Sequence, residues 1–198
     1  MVSAGDVWMQ AGLSAAVREV APAALCHPDD TPPVPLSALV VWLPALQEGL
    51  PEAVRRLAGQ LSLCGEGATV LLLAREVPGW LYRTLNNLVP QRRALLCRVL
   101  CLPDRIAPHR LQMALRGRAV EEAVLLRDAG PEPCQPGLSG PELQALGATL
   151  RGEDIHAMAH RADSPVVVQH RLRWQAMQKV GGLRVKNLLH PFRPRRGT

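Results

Sequence analysis

The amino-acid sequence predicts an α/β domain built on a parallel sheet, followed by a small all-α domain. Three observations predict it. Short, continuous apolar runs alternate with amphipathic stretches through roughly the first two thirds of the chain, the mark of strand–helix alternation. After a Pro/Gly-rich stretch the apolar runs stop, and only helical patterns follow. The charge divides at the same place. Met1–Gly137 carries thirteen Lys/Arg and thirteen Asp/Glu, whereas Leu138–Thr198 carries ten and four, so the whole net charge of +6 lies in the C-terminal third.

Taken in order, Met9–Val20 reads as a helix and Ala23–Cys26 as a short strand. Leu39–Leu43, Ala68–Ala74 and Ala94–Leu102, the last interrupted by Arg98, read as strands buried on both faces of the sheet. Between them, Pro51–Leu63 places Ala53, Val54, Leu57 and Leu61 on one helix face, with Arg55, Arg56 and Gln60 outward. Gly79–Val89 and Pro108–Arg118 follow the same pattern. These elements make a first domain over 1–126. Residues 127–137, with three prolines, two glycines and no periodicity, are expected to be a linker. A second domain over 138–198 holds four helical patterns: Leu138–Leu150, Asp154–Arg161, Pro165–Val180 and the short Val185–Leu189.

Composition excludes several function classes. Aromatic residues are only 3%, so the core must be Leu, Val and Ala. Five cysteines, an odd number without a Cys-x-x-Cys pair, support neither a disulfide framework nor a zinc site. No apolar run reaches membrane-spanning length and no basic segment leads an apolar one at the start. The expectation is a cytoplasmic protein without membrane association. No Gly-x-Gly-x-x-Gly, P-loop or nucleophile elbow is present, so neither an enzyme nor a cofactor is expected. His156 and His160 are spaced i,i+4 near Asp163, but Ala157 stands where a His-Glu-x-x-His site needs Glu. They are expected to be solvent-facing, and no metal is expected. Cys97 and Cys101 are expected on one face of a strand, as buried packing.

The second domain carries a series of helix-end signals. Ser139 is placed to cap a helix, with Glu142 completing a capping box and Pro141 in the first turn. Gly152 is placed to end that helix in a left-handed cap, and Asp154 to start the next. Ala162–Ser164 then turns the chain into a third helix. Two helices joined by a tight turn form a helix-turn-helix, whose second helix enters the DNA major groove. With Ala145-Leu146, Leu150, Met158-Ala159 and Lys179-Val180-Gly181 at their offsets, the segment from Leu138 to about Leu189 resembles the LuxR-type helix-turn-helix of NarL/FixJ response regulators. It departs from that family at Val166-Val167-Val168, where Thr-Val is usual, and Ser164 stands one residue early.

The resemblance implies a bacterial, sequence-specific regulator of transcription that binds double-stranded DNA. The groove-facing window it implies is Gln169, His170, Arg171, Arg173 and Trp174, with Val167 or Val168 against a thymine methyl. Gln reads adenine and Arg reads guanine through paired hydrogen bonds. Lys179, Arg184 and Lys186 are expected at phosphates, which supply affinity rather than sequence information. The competing reading of the same helix is a solvated face with Trp174 in the core.

The first domain resembles a response-regulator receiver, a flavodoxin-like α/β fold, over about residues 1–124. Asp6 matches the family's acidic group and Gly12-Leu13 its first helix. Gly49-Leu50 follows the phosphoacceptor strand, and Leu102-Pro103 matches the closing Lys-Pro. The chemistry residues are missing. The phosphoacceptor position falls on Trp42 (Val41 if the alignment shifts), the hydroxyl position on Ala74 and the lysine position on Leu102. None of these side chains takes or pairs with a phosphoryl group, and Mg²⁺ wants carboxylate oxygens. The resemblance therefore implies a degenerate pseudo-receiver that pairs without phosphorylation, as a homodimer or as a heterodimer with a receiver-containing regulator. The auxiliary LuxR-type regulators work in the second way. Pairing is expected through the face of Gly79–Val89, Ala94–Leu102 and Pro108–Arg118. The alternative is an interaction module that titrates another regulator without binding DNA.

Overall fold

The computed structural model of the protein describes residues 2–3, 7–20, 35–44, 49–129 and 136–181, without the side chains of 2–3 and 7–10. The first unit is an α/β sandwich of three layers. Its sheet runs in the order β1 (Val2–Ser3), β2 (Leu36–Trp42), β3 (Cys64–Ala74), β4 (Leu100–Pro103) and β5 (Val124–Leu125). The first three pairings are parallel, in a register that aligns Trp42 with Leu73 and Leu73 with Leu102. The last pairing, β4 with β5, is antiparallel.

Strand geometry sends successive side chains to opposite faces, so a continuous apolar run feeds two cores. Val70, Leu72 and Ala74 of β3 join one core with α2 (Leu50–Leu63), α3 (Leu81–Leu88) and α4 (Arg93–Leu96). Leu71 and Leu73 join the other with α1 (Val7–Arg18) and α5 (Pro108–Leu115). This is the parallel α/β layer the apolar runs predict. Among the described residues no helix is long and apolar enough to cross a membrane.

Three expectations are corrected. Ala94–Leu102 is not one strand: Leu95 and Leu96 are buried at the end of a helical turn, and β4 begins only at Leu100. Arg98 explains the break, because its guanidinium lies exposed and donates to the Glu66 carbonyl. Cys97 and Cys101 therefore do not share a strand face. The Cys97 thiol meets the Tyr82 hydroxyl at 3.5 Å, while Cys101 is buried in β4, its thiol pushed up to about 12 by burial. Gln60 is not outward but buried, and its amide has no hydrogen-bond partner among the described residues. Helix α2 packs on both the sheet and the second unit, so its buried arc is wider than a one-sided pattern.

One further contact bears on the expected pairing face. Gly137 lies against α3, where a Cβ would sit 2.5 Å from the Arg83 carbonyl carbon. Part of α3 around Thr84 is thus covered by the chain itself, while Arg83 and Asn87 stay exposed. The proposed strand at Ala23–Cys26, the acidic Asp6 and the helix at Val185–Leu189 lie outside the described residues.

Candidate nucleic-acid interface

The second unit is made of α6 (Gly140–Leu150), α7 (Ile155–Arg161) and α8 (Val166–Lys179). Its helix ends are built as the local sequence signals predict. The Ser139 hydroxyl accepts from the Glu142 N–H at 3.4 Å, and the Glu142 carboxylate accepts from the Ser139 N–H at 2.7 Å, a closed capping box. Gly152, at φ +72°, ends α6, and the Glu153 N–H reaches back to the Ala148 carbonyl at 3.0 Å. The Asp154 carboxylate caps α7, accepting from the N–H groups of His156 at 2.8 Å and Ala157 at 3.4 Å. Those backbone bonds, that of His156 first, hold Asp154 below its ordinary value.

The turn between α7 and α8 repeats the α6 ending without a glycine. Asp163 takes φ +45°, its N–H donates to the His160 carbonyl, and the Ser164 N–H donates to the Ala159 carbonyl. Pro165 then starts α8 with its φ fixed at a helix-compatible value. The β-branched Val166–Val168 favour no helix, but tertiary packing overrides that preference. Val166 and Leu172 pack on Ala145, Ala148, Ile155 and Met158 between the three helices. The far end of α8 is anchored by Ala176, Met177 and Val180, which join the larger core of the α/β unit.

This packing leaves one continuous stripe of α8 open. Val167, His170, Arg171, Trp174 and Gln178 are all exposed, spaced i, i+3, i+4, i+7 and i+11 along one side of the helix. At 1.5 Å per residue the stripe is about 16 Å long. Val167 is 72% exposed and Trp174 64%, although both are large and apolar. Trp174 is therefore on the open face and not in the core.

The structure redistributes the window expected from sequence. Gln169 is buried, and its amide donates to the Ser164 hydroxyl at 2.7 Å, so it is withdrawn from the groove-facing set. Val168 and Arg173 are half-buried at the margins of the stripe. Gln178, absent from the window, belongs to the stripe. A window of adjacent residues samples every side of a helix, and the 3.6-residue period would have found the face.

Lys179 is corrected as well. Its ammonium lies 2.7 Å from the carboxylate of the buried Glu142. Burial pushes the Glu142 carboxyl up, but the hydrogen bonds from Lys179 and Ser139 outweigh it and hold Glu142 below the ordinary carboxylate range. Arg151 and Arg161 flank Glu153, the latter with an Nη2–Oε2 distance of 2.6 Å. Of the five Lys/Arg between Leu138 and Gly181, only Arg171 and Arg173 have no ion pair among the described residues. Arg184 and Lys186 lie outside the described residues.

At the carboxyl ends of the parallel strands, where open α/β sheets hold ligands, Trp42, Ala74 and Leu102 lie on neighbouring strands. Trp42 ends β2 and packs half-buried against the cluster that contains Leu102, while Ala74 ends β3 and joins the core on the other side of the sheet. Two of the three are purely apolar, and the Trp42 indole N–H is a donor without acid–base chemistry in the physiological range. His156 and His160 are both exposed. Among the described residues no group of three His, Cys, Asp or Glu is placed to hold a metal ion.

No protein-family model and no curated protein matches the sequence. Two solved structures of the Salmonella typhimurium RcsB response regulator, described for conformational dynamism in DNA interaction, align with the chain. The first is 14% identical, covers 95% of this chain and 92% of its own, and has a TM-score of 0.46. The second is 13% identical, covers 95% and 94%, and has a TM-score of 0.38. Overlays this loose transfer no residue's role to the chain.

Proposed function

We propose that the protein is a sequence-specific, double-stranded-DNA-binding regulator of transcription that works without phosphorylation. One observation carries the reading: the second helix of a tightly turned helix pair exposes a single stripe, Val167, His170, Arg171, Trp174 and Gln178. A helix is the element that fits the major groove, and the stripe's donors and apolar groups match what base edges offer. Arg171 is the guanine reader, Gln178 and His170 supply further hydrogen bonds, and Val167 suits a thymine methyl. The residue types at Trp42, Ala74 and Leu102 support independence from phosphorylation. None is an acceptor, and none of the three is charged. The α/β unit is then a non-enzymatic partner of the reader.

In vitro selection from random duplex DNA by the purified protein tests this. An enriched motif that Arg171→Ala weakens or broadens supports it, and a two-fold motif identifies a homodimer. The exposed Trp174 and Val167 also fit a second reading, in which the stripe docks on another regulator. Absence of any enriched sequence favours that reading, or a subunit that binds DNA only with a partner.

A further inference from the structure

The two units meet through main chain as well as side chains. Leu138 is fully buried, and both its backbone polar groups are bound by α3. Its N–H donates to the Thr84 hydroxyl at 2.8 Å, and its carbonyl accepts from the Asn87 amide at 3.2 Å. Thr84 is itself fully buried, and its hydroxyl donates to the Trp80 carbonyl at 2.7 Å. One hydroxyl thus both donates within α3 and accepts from the incoming segment. Gly137 lets that segment approach. A Cβ there would meet the Arg83 carbonyl carbon at 2.5 Å and the Thr84 nitrogen at 2.6 Å, both rigid backbone atoms.

The side chains continue the contact. Leu138, Leu143, Leu146 and Leu150, with Ala176, Met177 and Val180 of α8, belong to the same buried cluster as Leu39, Leu57, Leu72 and Leu85. A smaller cluster, separate from it, lies between the three helices alone. Helix α6 therefore divides its apolar residues: Ala145 and Ala148 face α7 and α8, and its leucines enter the α/β core. Units that move independently meet over polar, separable surfaces. Here the seam is a core, sealed by a main-chain clamp.

We propose that the clamp of Gly137 and Leu138 on α3 joins the two units into one cooperative body, so that the α/β unit is a fixed scaffold holding the open stripe of α8 permanently outward. Nothing in this depends on DNA. Signal-free presentation follows from it: no opening step precedes access to the stripe, and the α3 surface around Thr84 is withheld from other partners.

Hydrogen exchange of the full-length protein across a denaturant series tests the proposal. In the wild type, the slowest amides of α6 and α8 and those of β3 share one opening, with one denaturant dependence. Thr84→Val keeps the shape but leaves the buried Leu138 N–H without an acceptor, and speeds exchange in α6 and α8 by about ten- to a hundredfold. Gly137→Ala, which wedges the segment off α3, acts in the same direction, and Thr84→Val carries the test if that variant does not fold. The proposal is overturned if wild-type α6 and α8 open while β3 stays protected. It is overturned equally if Thr84→Val leaves their exchange as in the wild type.

Discussion

The Glu142 carboxylate at the start of α6 binds the Lys179 ammonium at the end of α8, 37 residues later, across 2.7 Å. The same oxygen accepts the Ser139 N–H, so one carboxylate closes a helix cap and ties the first helix of the unit to the last. Lys179→Met should destabilise the protein by about 1–3 kcal/mol. That is less than the full cost of breaking a buried pair, because the Lys179 side chain is 30% exposed. Urea unfolding measures it. The same variant should leave the salt dependence of any DNA binding unchanged.

Acid should weaken this tie. The folded-state pKa of Glu142 lies below its unfolded value, so its contribution is present above the ordinary carboxylate range and is lost as pH falls through the folded value. Stability of the wild type should therefore drop more steeply than that of Glu142→Gln as the pH is lowered from 6 towards 3, with urea midpoints as the readout. Parallel curves would show that the carboxylate contributes no pH dependence.

Substitutions on α8 should sort by face. Val167→Ala, Arg171→Ala and Trp174→Ala should each weaken binding to a selected DNA site by about 1–3 kcal/mol. Their folding stability should stay within about 0.5 kcal/mol of wild type, as for exposed positions. Gln169→Ala should do the reverse, costing about 1 kcal/mol of stability by deleting the bond to Ser164 while changing base preference little. Paired melting and binding measurements separate the classes.

Asp163 holds a left-handed backbone that glycine adopts freely. Asp163→Gly should be neutral or stabilising by up to about 1 kcal/mol, and Asp163→Val destabilising by about 1–2 kcal/mol. Thermal denaturation of the two variants gives the sign directly.

Basic charge should control affinity separately from reading. Leu138–Gly181 carries five Lys/Arg against four Asp/Glu, whereas 182–198 adds Arg184, Lys186, Arg193, Arg195 and Arg196 with no acidic residue. Deleting 182–198 should reduce the slope of log K against log salt by up to about 4.5. The base preference should persist. An unchanged slope would place the phosphate contacts elsewhere.

The helix ends of the second unit were legible because caps are local. Ser139 with Glu142, Gly152 and Asp154 act on residues one to five positions away, and each sits where its residue type predicts. The α/β layer was legible for a similar reason, since Leu39–Leu43 and Ala68–Ala74 are too apolar to face water. What stayed hidden depends on distant partners. Nothing near Gln60 or Gln169 in the chain announces that a polar amide will be covered. Lys179 reads as a free cation until Glu142 is beside it, and Gly137 reads as linker until α3 is. Asp163 was missed because its left-handed conformation is a glycine role filled by another residue.

The sheet is unequal in its strands: β2 and β3 have seven and eleven residues, while β1 and β5, its two margins among the described residues, have two each. A long, apolar margin would be a template on which a second chain could add a strand. Here the most adhesive segments, Leu39–Trp42 and Val70–Ala74, are fenced by stubs too short to seed such growth, and β5 runs against the grain of the other four. Among the described residues, the short margins thereby keep a very leucine-rich interior from becoming a nucleus for aggregation, a safeguard that loss of either stub would remove.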